Sequence, residues 1–276
     1  MTENPAAAQD PAASLRRRID TLRPHTARIW NYWLGGSDYY EVDRVAGDRI
    51  RELHPAIDEY ARADRLFLGR AVRHLVADAG IRQFLDIGTG LPTADNTHEV
   101  AQRVTADARI VYVDNDPLVL AHARALLTST PEGRTDHLDE DLRNVESILE
   151  RAAGTLDLTE PVGLMLLGVV IFLQDDEDPY GVVRRLMDAL PSGSHLVLSH
   201  TITSPAMPEV DEAVRFWNEH GTPALTQRTP EDVARFFDGL ELLEPGVVSC
   251  SRWRPGQGHG GEPQEVALHG GVGRKR

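Results

Sequence analysis

Seven consecutive residues, Phe84-Leu85-Asp86-Ile87-Gly88-Thr89-Gly90, constrain this chain more than any others. An apolar run carrying an acid, followed by Gly-x-Gly and then a helical pattern, reads as a buried strand turning sharply into a helix. Glycine accepts the positive backbone angles that such a turn requires, and its missing Cβ lets the main chain approach a ligand closely. Gly-x-Gly turns occur in many loops, so the residues that follow decide its meaning. Ile110-Val111-Tyr112-Val113-Asp114 reads as a second strand ending in an acid. A helix opens at Pro117 and carries Leu118, Leu120, Ala121, Ala125 and Leu126 at helical spacing. His137-Leu138 marks a third strand running into Asp139-Glu140-Asp141-Leu142. Further strands are expected at 162–167 and 195–199, with a helix over 179–190 between them. Alternating strands and helices imply crossover connections, hence an α/β fold with a mainly parallel sheet covered on both faces.

In such a sheet, Asp86, Asp114 and Asp141, each following a successive strand, converge on one edge, where ligands bind. Asp114 is placed to accept both ribose hydroxyls of a nucleoside, and Asp141 to reach an adenine amino group. A pyrophosphate cofactor such as NAD would favour the full Gly-x-Gly-x-x-Gly pattern. Here Thr93 takes the third position, and Asp86 beside the turn would repel phosphate. S-adenosylmethionine carries a sulfonium, an ammonium and two ribose hydroxyls without phosphate, so acidic residues suit it.

Upstream, Ile29, Trp30, Trp33 and Leu34 predict a short helix stopped by Gly35-Gly36. Ile57, Tyr60, Ala61, Phe67, Leu68, Ala71, Val72 and Leu75 predict a long one closed by Gly80. Downstream, Thr229-Pro230-Glu231-Asp232 has a capping hydroxyl, proline at the first helical position and acids in the first turn. Val247-Val248-Ser249-Cys250 and Glu265-Val266-Ala267-Leu268 predict a final hairpin joined by the Gly-rich stretch 256–261. The expected organisation is a disordered tail (1–23), a helical cap or lid (24–80) and a cofactor-binding domain (81–276).

The charge balance narrows the partners. With 43 Asp+Glu against 29 Lys+Arg, the net charge of -14 repels nucleic-acid backbones. The basic clusters Arg16-Arg17-Arg18 and Arg274-Lys275-Arg276 lie at the two ends, as solvated tails do. One cysteine, Cys250, excludes an intramolecular disulfide and every multi-Cys metal site, and no second His follows His98-Glu99 at metal-binding spacing. No metal is expected. Residues 1–14 lack the order of a signal peptide, and the longest apolar run, 162–173, is too short to span a bilayer. A soluble cytoplasmic protein with no membrane partner is the expectation.

The sequence resembles the actinobacterial S-adenosylmethionine-dependent methyltransferase family known as DUF574, which has the class I methyltransferase fold. The matching stretches are Ala27-Arg28-Ile29-Trp30-Asn31-Tyr32-Trp33-Leu34-Gly35-Gly36-Ser37-Asp38, 83–92, Asn96-Thr97-His98-Glu99-Val100-Ala101, 111–117, Asp141-Leu142-Arg143, 193–200 and 270–275. They run from about residue 25 to the C-terminus. The resemblance implies a doubly wound, Rossmann-like sheet of order 3-2-1-4-5-7-6 with strand 7 antiparallel, and an N-terminal helical extension. It also implies that Asp86, Gly88 and Gly90, with Thr89 between them, line the methionine portion of the cofactor. Asp114 and Asn115 would hold the ribose, and Asp141 with Leu142 the adenine. One departure is Ile171, in Val169-Val170-Ile171-Phe172, where the family pattern has His.

Methyl transfer is a displacement at an activated carbon. The protein aligns the nucleophile, excludes water and, for some acceptors, removes a proton, so no catalytic motif is obligatory. His200, ending the fifth strand, is the candidate general base, weighed against a structural histidine. His98 and Asn96 open the helix after the glycine turn, as ligand contacts or as caps. In the aromatic cluster of residues 30–38, Tyr32 and Gly35 are expected to line the site. Phe216 and Trp217 are candidates for the acceptor pocket, against a role in sheet packing. The segment after strand four lacks the Asn/Asp-Pro-Pro-Tyr signature of nucleic-acid amino methyltransferases. The reading is therefore a methyltransferase for a small-molecule acceptor. Its alternatives are a non-catalytic S-adenosylmethionine sensor or scaffold and an NAD-dependent oxidoreductase.

Overall fold

The computed structural model describes residues 19–256 and 263–276, so residues 1–18 of the expected tail and most of the Gly-rich stretch lie outside the described residues. Three helices come first: α1 (Thr26–Trp33), α2 (Glu41–Leu53) and α3 (Ile57–Ala77). The alternating core follows as β1 (Gln83–Ile87), α4 (Thr97–Gln102), β2 (Arg109–Asp114), α5 (Pro117–Leu126), β3 (Arg134–Asp139), α6 (Val145–Ala152) and β4 (Gly163–Leu167). It continues through α7 (Pro179–Asp188), β5 (His195–Thr201), α8 (Pro208–His220) and α9 (Pro230–Ala234), and ends with β6 (Glu241–Leu242), β7 (Val248–Ser249) and β8 (Leu268–Arg274).

The sheet runs β3-β2-β1-β4-β5-β8-β6, with β7 paired to β8. β1 to β5 are parallel and β8 is antiparallel to β5. This is the class I methyltransferase order expected, with one extra strand. The extra strand arises because the edge pairing along β8 is broken into β6 and β7. Pro245, which has no N–H to donate, and the turn from Gly246 N to Leu243 O (2.8 Å) interrupt it.

Alternation along the strands divides the core. Phe84, Ile110, Tyr112, Met165 and Val197 face a layer containing α1, α3 and part of α8. Leu85, Val111, Leu164, Leu166 and Leu198 face the opposite layer, with α6 and α7. Asp86 follows Phe84 by two residues and so points to the α3 side. Helix α3 itself packs on the sheet through Phe67, Ala71, Val72 and Leu75, all fully buried.

The last strand differs from its expectation. Glu265-Val266-Ala267 lead into β8, but the strand continues through Gly270, Gly271 and Gly273 to Arg274. Glycines inside a strand read as a turn in sequence, yet here they make room. A Cβ on Gly270 would lie 2.8 Å from the Phe67 ring, 2.9 Å from Cys250 Sγ and 2.9 Å from the Leu198 carbonyl. Gly270→Ala is therefore expected to destabilise the fold by about 1–3 kcal/mol through overpacking. Urea denaturation checks the loss, and an unaltered midpoint would show that α3 yields to the methyl group.

Candidate functional site

The carboxyl ends of the parallel strands form a continuous crevice. Its larger hollow, about 880 Å³ with its mouth, is lined by Asp86, Gly88, Thr89, Gly90 and Asp114, by Asp64 and Arg65 of α3, and by His25, Trp30, Asn31 and Leu34. A second hollow, sharing Gly88, Asp114 and Phe172 with the first, extends over Asn115, Asp141 and Leu142. Eight of the ten residues singled out for the cofactor are thus brought to one crevice.

Local geometry shows why these residue types stand there. Gly88 (φ +76°) and Gly90 (φ +64°) adopt left-handed backbone, and a Cβ on Gly88 would lie 2.3 Å from the Val169 side chain. Asp114 accepts hydrogen bonds from Gly90 N (3.0 Å) and Asp116 N (2.9 Å), so the acid closing β2 fixes the shape of the turn closing β1. Asp86 is buried and accepts from Thr97 Oγ1 at 2.6 Å. Burial raises both carboxyls to about 6; the Thr97 hydroxyl partly offsets it at Asp86, and the two backbone N–H donors at Asp114. Asn115 Nδ2 donates to Asp141 Oδ2 at 2.9 Å, tying the end of β2 to the segment after β3.

Tyr32 and Gly35 are the two placed elsewhere. The Tyr32 ring packs on Tyr39 (centroids 4.8 Å apart) beneath the Arg51 guanidinium, and its hydroxyl donates to Asp48. Gly35 (φ +82°) ends α1. From that segment the crevice is lined instead by Trp30, Asn31 and Leu34, one helical face away from Tyr32.

His200 also departs from its expectation as a general base. It is fully buried, with Nδ1 donating to the Thr201 carbonyl and Nε2 accepting from Arg228 Nη1, each at 2.8 Å. Both nitrogens are used and neither faces the crevice. Burial lowers its pKa to about 4. His98 is likewise buried, its Nδ1 2.8 Å from the Tyr112 hydroxyl, and Asn96 caps α4 against Glu99. Among the described residues no cluster could hold a metal ion, and no helix is long and apolar enough to cross a membrane.

Asp64 and Arg65 escaped the sequence reading, although a signal was present. Asp64 falls on the apolar stripe of α3, between Tyr60-Ala61 and Phe67-Leu68, where an acid has no business in a plain core helix. It is buried and accepts from Ser199 Oγ at 2.7 Å. Arg65 reaches over to the Ala94 and Asp95 carbonyls, and its buried Nε has no protein partner. A wider hollow lies at the opposite edge of the sheet, lined by mixed charges such as Arg82, Asp107, Glu132 and Asp157. It holds none of the residues gathered here.

A Rossmann-like sheet of this order, with acids in place of phosphate-binding donors at its carboxyl edge, defines the class I S-adenosylmethionine-binding proteins. The comparison with known families agrees: residues 12–276 match the family described as S-adenosyl methyltransferase, and the chain belongs to it. S-adenosylmethionine is the cofactor of that family. A DUF574 family protein from Streptomyces avermitilis MA-4680 superposes with a TM-score of 0.90 at 45% identity, over 94% of this chain and 100% of that one. A protein from Thermobifida fusca YX, described as a candidate methyltransferase, gives 0.84 at 39% identity, over 92% and 96%. The carboxy-S-adenosyl-L-methionine synthase of Chromohalobacter salexigens is 31% identical over 149 residues, 53% of this chain; the match spans about half, 47%, of that relative's length.

His200 supplies a test through stability. Its folded pKa near 4 lies below the unfolded value near 6.5, so the unfolded chain binds the extra proton. Its contribution is present above about pH 6.5 and is lost as pH falls toward 4, by up to about 3 kcal/mol. His200→Gln should flatten this acid limb in denaturation curves recorded between pH 7 and 4. An acid limb unchanged by the substitution would mean that His200 does not titrate as its burial requires.

Proposed function

We propose that the protein transfers the methyl group of S-adenosylmethionine to a small-molecule acceptor. The observation that carries this is the pair Asp86 and Asp114, held together with Asp64 in the larger hollow of the crevice, where Arg65 is the one Arg or Lys among the described residues. A cluster of desolvated acids is electrostatically costly unless a ligand brings positive charge and hydroxyl donors to it. The glycine turn fits the same ligand: a Cβ on Gly90 would project into open space at the crevice, with nothing within 4 Å.

In this reading Asp86 and Asp64 meet the ammonium of the methionine portion. Arg65, with its unpartnered Nε, meets the carboxylate. Gly88, Thr89 and Gly90 form the main-chain cradle, Asp114 with Asn115 takes the ribose hydroxyls, and Asp141 with Leu142 borders the adenine. The bound cofactor supplies an electrophilic methyl group on a sulfonium. The chain's own residues orient and desolvate: residues 24–80 cap the crevice, with Trp30, Asn31 and Leu34 shielding it from water. The same acids oppose a pyrophosphate, which sets the NAD reading aside, and the net charge of -14 opposes a nucleic-acid acceptor.

Calorimetric titration with S-adenosylmethionine, S-adenosylhomocysteine and NAD tests the proposal. Binding of the two sulfur nucleosides without NAD is expected, and NAD binding alone would overturn it. Asp114→Ala should weaken S-adenosylmethionine at least tenfold.

The titrations of Asp86 and Asp114 add a pH signature. Both sit near 6, above the ordinary aspartate range, so in the ligand-free fold they take up protons as pH falls through about 6. A cationic, hydroxyl-bearing ligand favours the ionised forms, so affinity should fall as pH drops below about 6, with proton release on binding there. Equal affinities at pH 5 and 8 would show that neither carboxylate receives the ligand.

A further inference from the structure

Beside the cofactor crevice lies a second, apolar chamber of about 650 Å³ including its mouth. Thr26, Trp30, Gly168 and Phe172 line both spaces, so the two adjoin. Aromatic rings from four parts of the fold wall the chamber: Trp30 and Trp33 of α1, Tyr60 of α3, Phe172 after β4 and Trp217 of α8. Trp30 lies 5.8 Å from Tyr60 and 6.2 Å from Trp33, centroid to centroid. No Asp, Glu, Lys or Arg lines it among the described residues.

Polar atoms on these walls are mostly spoken for. The Tyr60 hydroxyl pairs with Thr201 Oγ1 at 2.6 Å, the Trp217 indole donates to the Pro223 carbonyl at 2.7 Å, and the Trp33 indole to Gly47 at 3.3 Å. His54 is not. It is 95% buried, its ring stands edge-on to Tyr60, and neither ring nitrogen has a protein partner. Burial lowers its pKa, against the opposing pull of Glu209 on α8 and Glu59 on α3. A neutral imidazole presents one donor and one acceptor, and leaving both unmet in an apolar enclosure is unfavourable.

We propose that this chamber receives the methyl acceptor, that the acceptor is an uncharged planar aromatic molecule bearing a hydroxyl, and that His54 selects it by hydrogen-bonding that hydroxyl. The absence of charged walls disfavours anionic and cationic acceptors, whose desolvation nothing would offset. The density of aromatic faces favours a flat guest. Whichever ring nitrogen faces the guest, bare or protonated, a hydroxyl can meet it, since it both donates and accepts. The assignment rests on the methyltransferase reading of the neighbouring crevice, but its test does not depend on turnover.

The protein would be titrated by NMR with 2-naphthol, naphthalene and decahydro-2-naphthol, first alone and then with S-adenosylhomocysteine. 2-Naphthol is expected to bind at least tenfold more tightly than either comparison compound and to move the His54 ring nitrogen signals. His54→Phe should abolish the preference over naphthalene, His54→Gln should retain part of it, and neither should change S-adenosylhomocysteine affinity. Should His54→Phe fail to fold, the glutamine variant and the wild-type ring signals decide. Equal binding of 2-naphthol and naphthalene, no binding, or unmoved His54 signals would overturn the inference. Because cofactor affinity is measured alongside, failure to bind S-adenosylhomocysteine would identify the methyltransferase reading as the faulty step instead.

Discussion

The buried ion pair between Arg28 and Asp43 holds the N-terminal helices in the arrangement on which both cavities depend. Arg28 Nε lies 2.8 Å from Asp43 Oδ2, with the two side chains 3% and 0% exposed. Each group has further partners. Asp43 also accepts from the His25 and Tyr40 main-chain N–H groups, and Arg28 donates to the Asp20 and Arg23 carbonyls. A buried charge with this many partners is retained in place; removing one partner of such a pair typically costs about 3–5 kcal/mol. The pair joins the start of α1 to the start of α2. Trp30 and Trp33 are carried on the first helix, and His54 follows the end of the second. His25, one turn before Arg28, also bridges to Asp116 at 2.9 Å, which links the start of α1 to the chain just beyond β2.

The crevice is built by a geometric necessity. Parallel strands share one direction, so residues ending β1, β2 and β3 gather at a single edge whatever their sequence. Acids placed there raise one another's cost. The fold limits the cost by giving Asp114 two main-chain donors and Asp86 the Thr97 hydroxyl, which leaves both near 6 rather than higher. Structure and crevice are therefore coupled: the hydrogen bond that shapes the glycine turn is made by the same carboxylate that lines the crevice.

Much of this was legible in the residues. The buried strands, the glycine turn and the proline-led helices follow from periodicity and capping chemistry, and the acids were found because strand ends carry positional meaning. What was not legible falls into three physical kinds. Helix α2 has a polar character, burying only Asp43, Ala46, Gly47 and Ile50, so apolar spacing does not announce it. Strand β8 is rich in glycine because α3 and the 235–240 segment press against it, a reason that exists only in the folded state. The orientation of side chains around a helix separated Trp30 and Asn31 from Tyr32, a distinction that proximity along the chain cannot make. The misreading of His200 belongs with this third kind: its position at a strand end was right, but the alternation along β5 turned it into the protein rather than toward the crevice.

His200 nonetheless bears on the site through Arg228. The guanidinium donates to His200 Nε2, to the Leu173 carbonyl at 2.9 Å and to Asp175. Arg143 donates to the Phe172 carbonyl at 2.9 Å and pairs with Glu177. Two arginines thus clamp the main chain of the segment after β4 at adjacent residues, and that segment supplies the wall shared by the crevice and the chamber. A neutral His200 is required for the clamp, since only a bare Nε2 can accept from a guanidinium. Burial secures that neutrality, and the histidine that could not serve as a base becomes part of what fixes the partition between the two cavities.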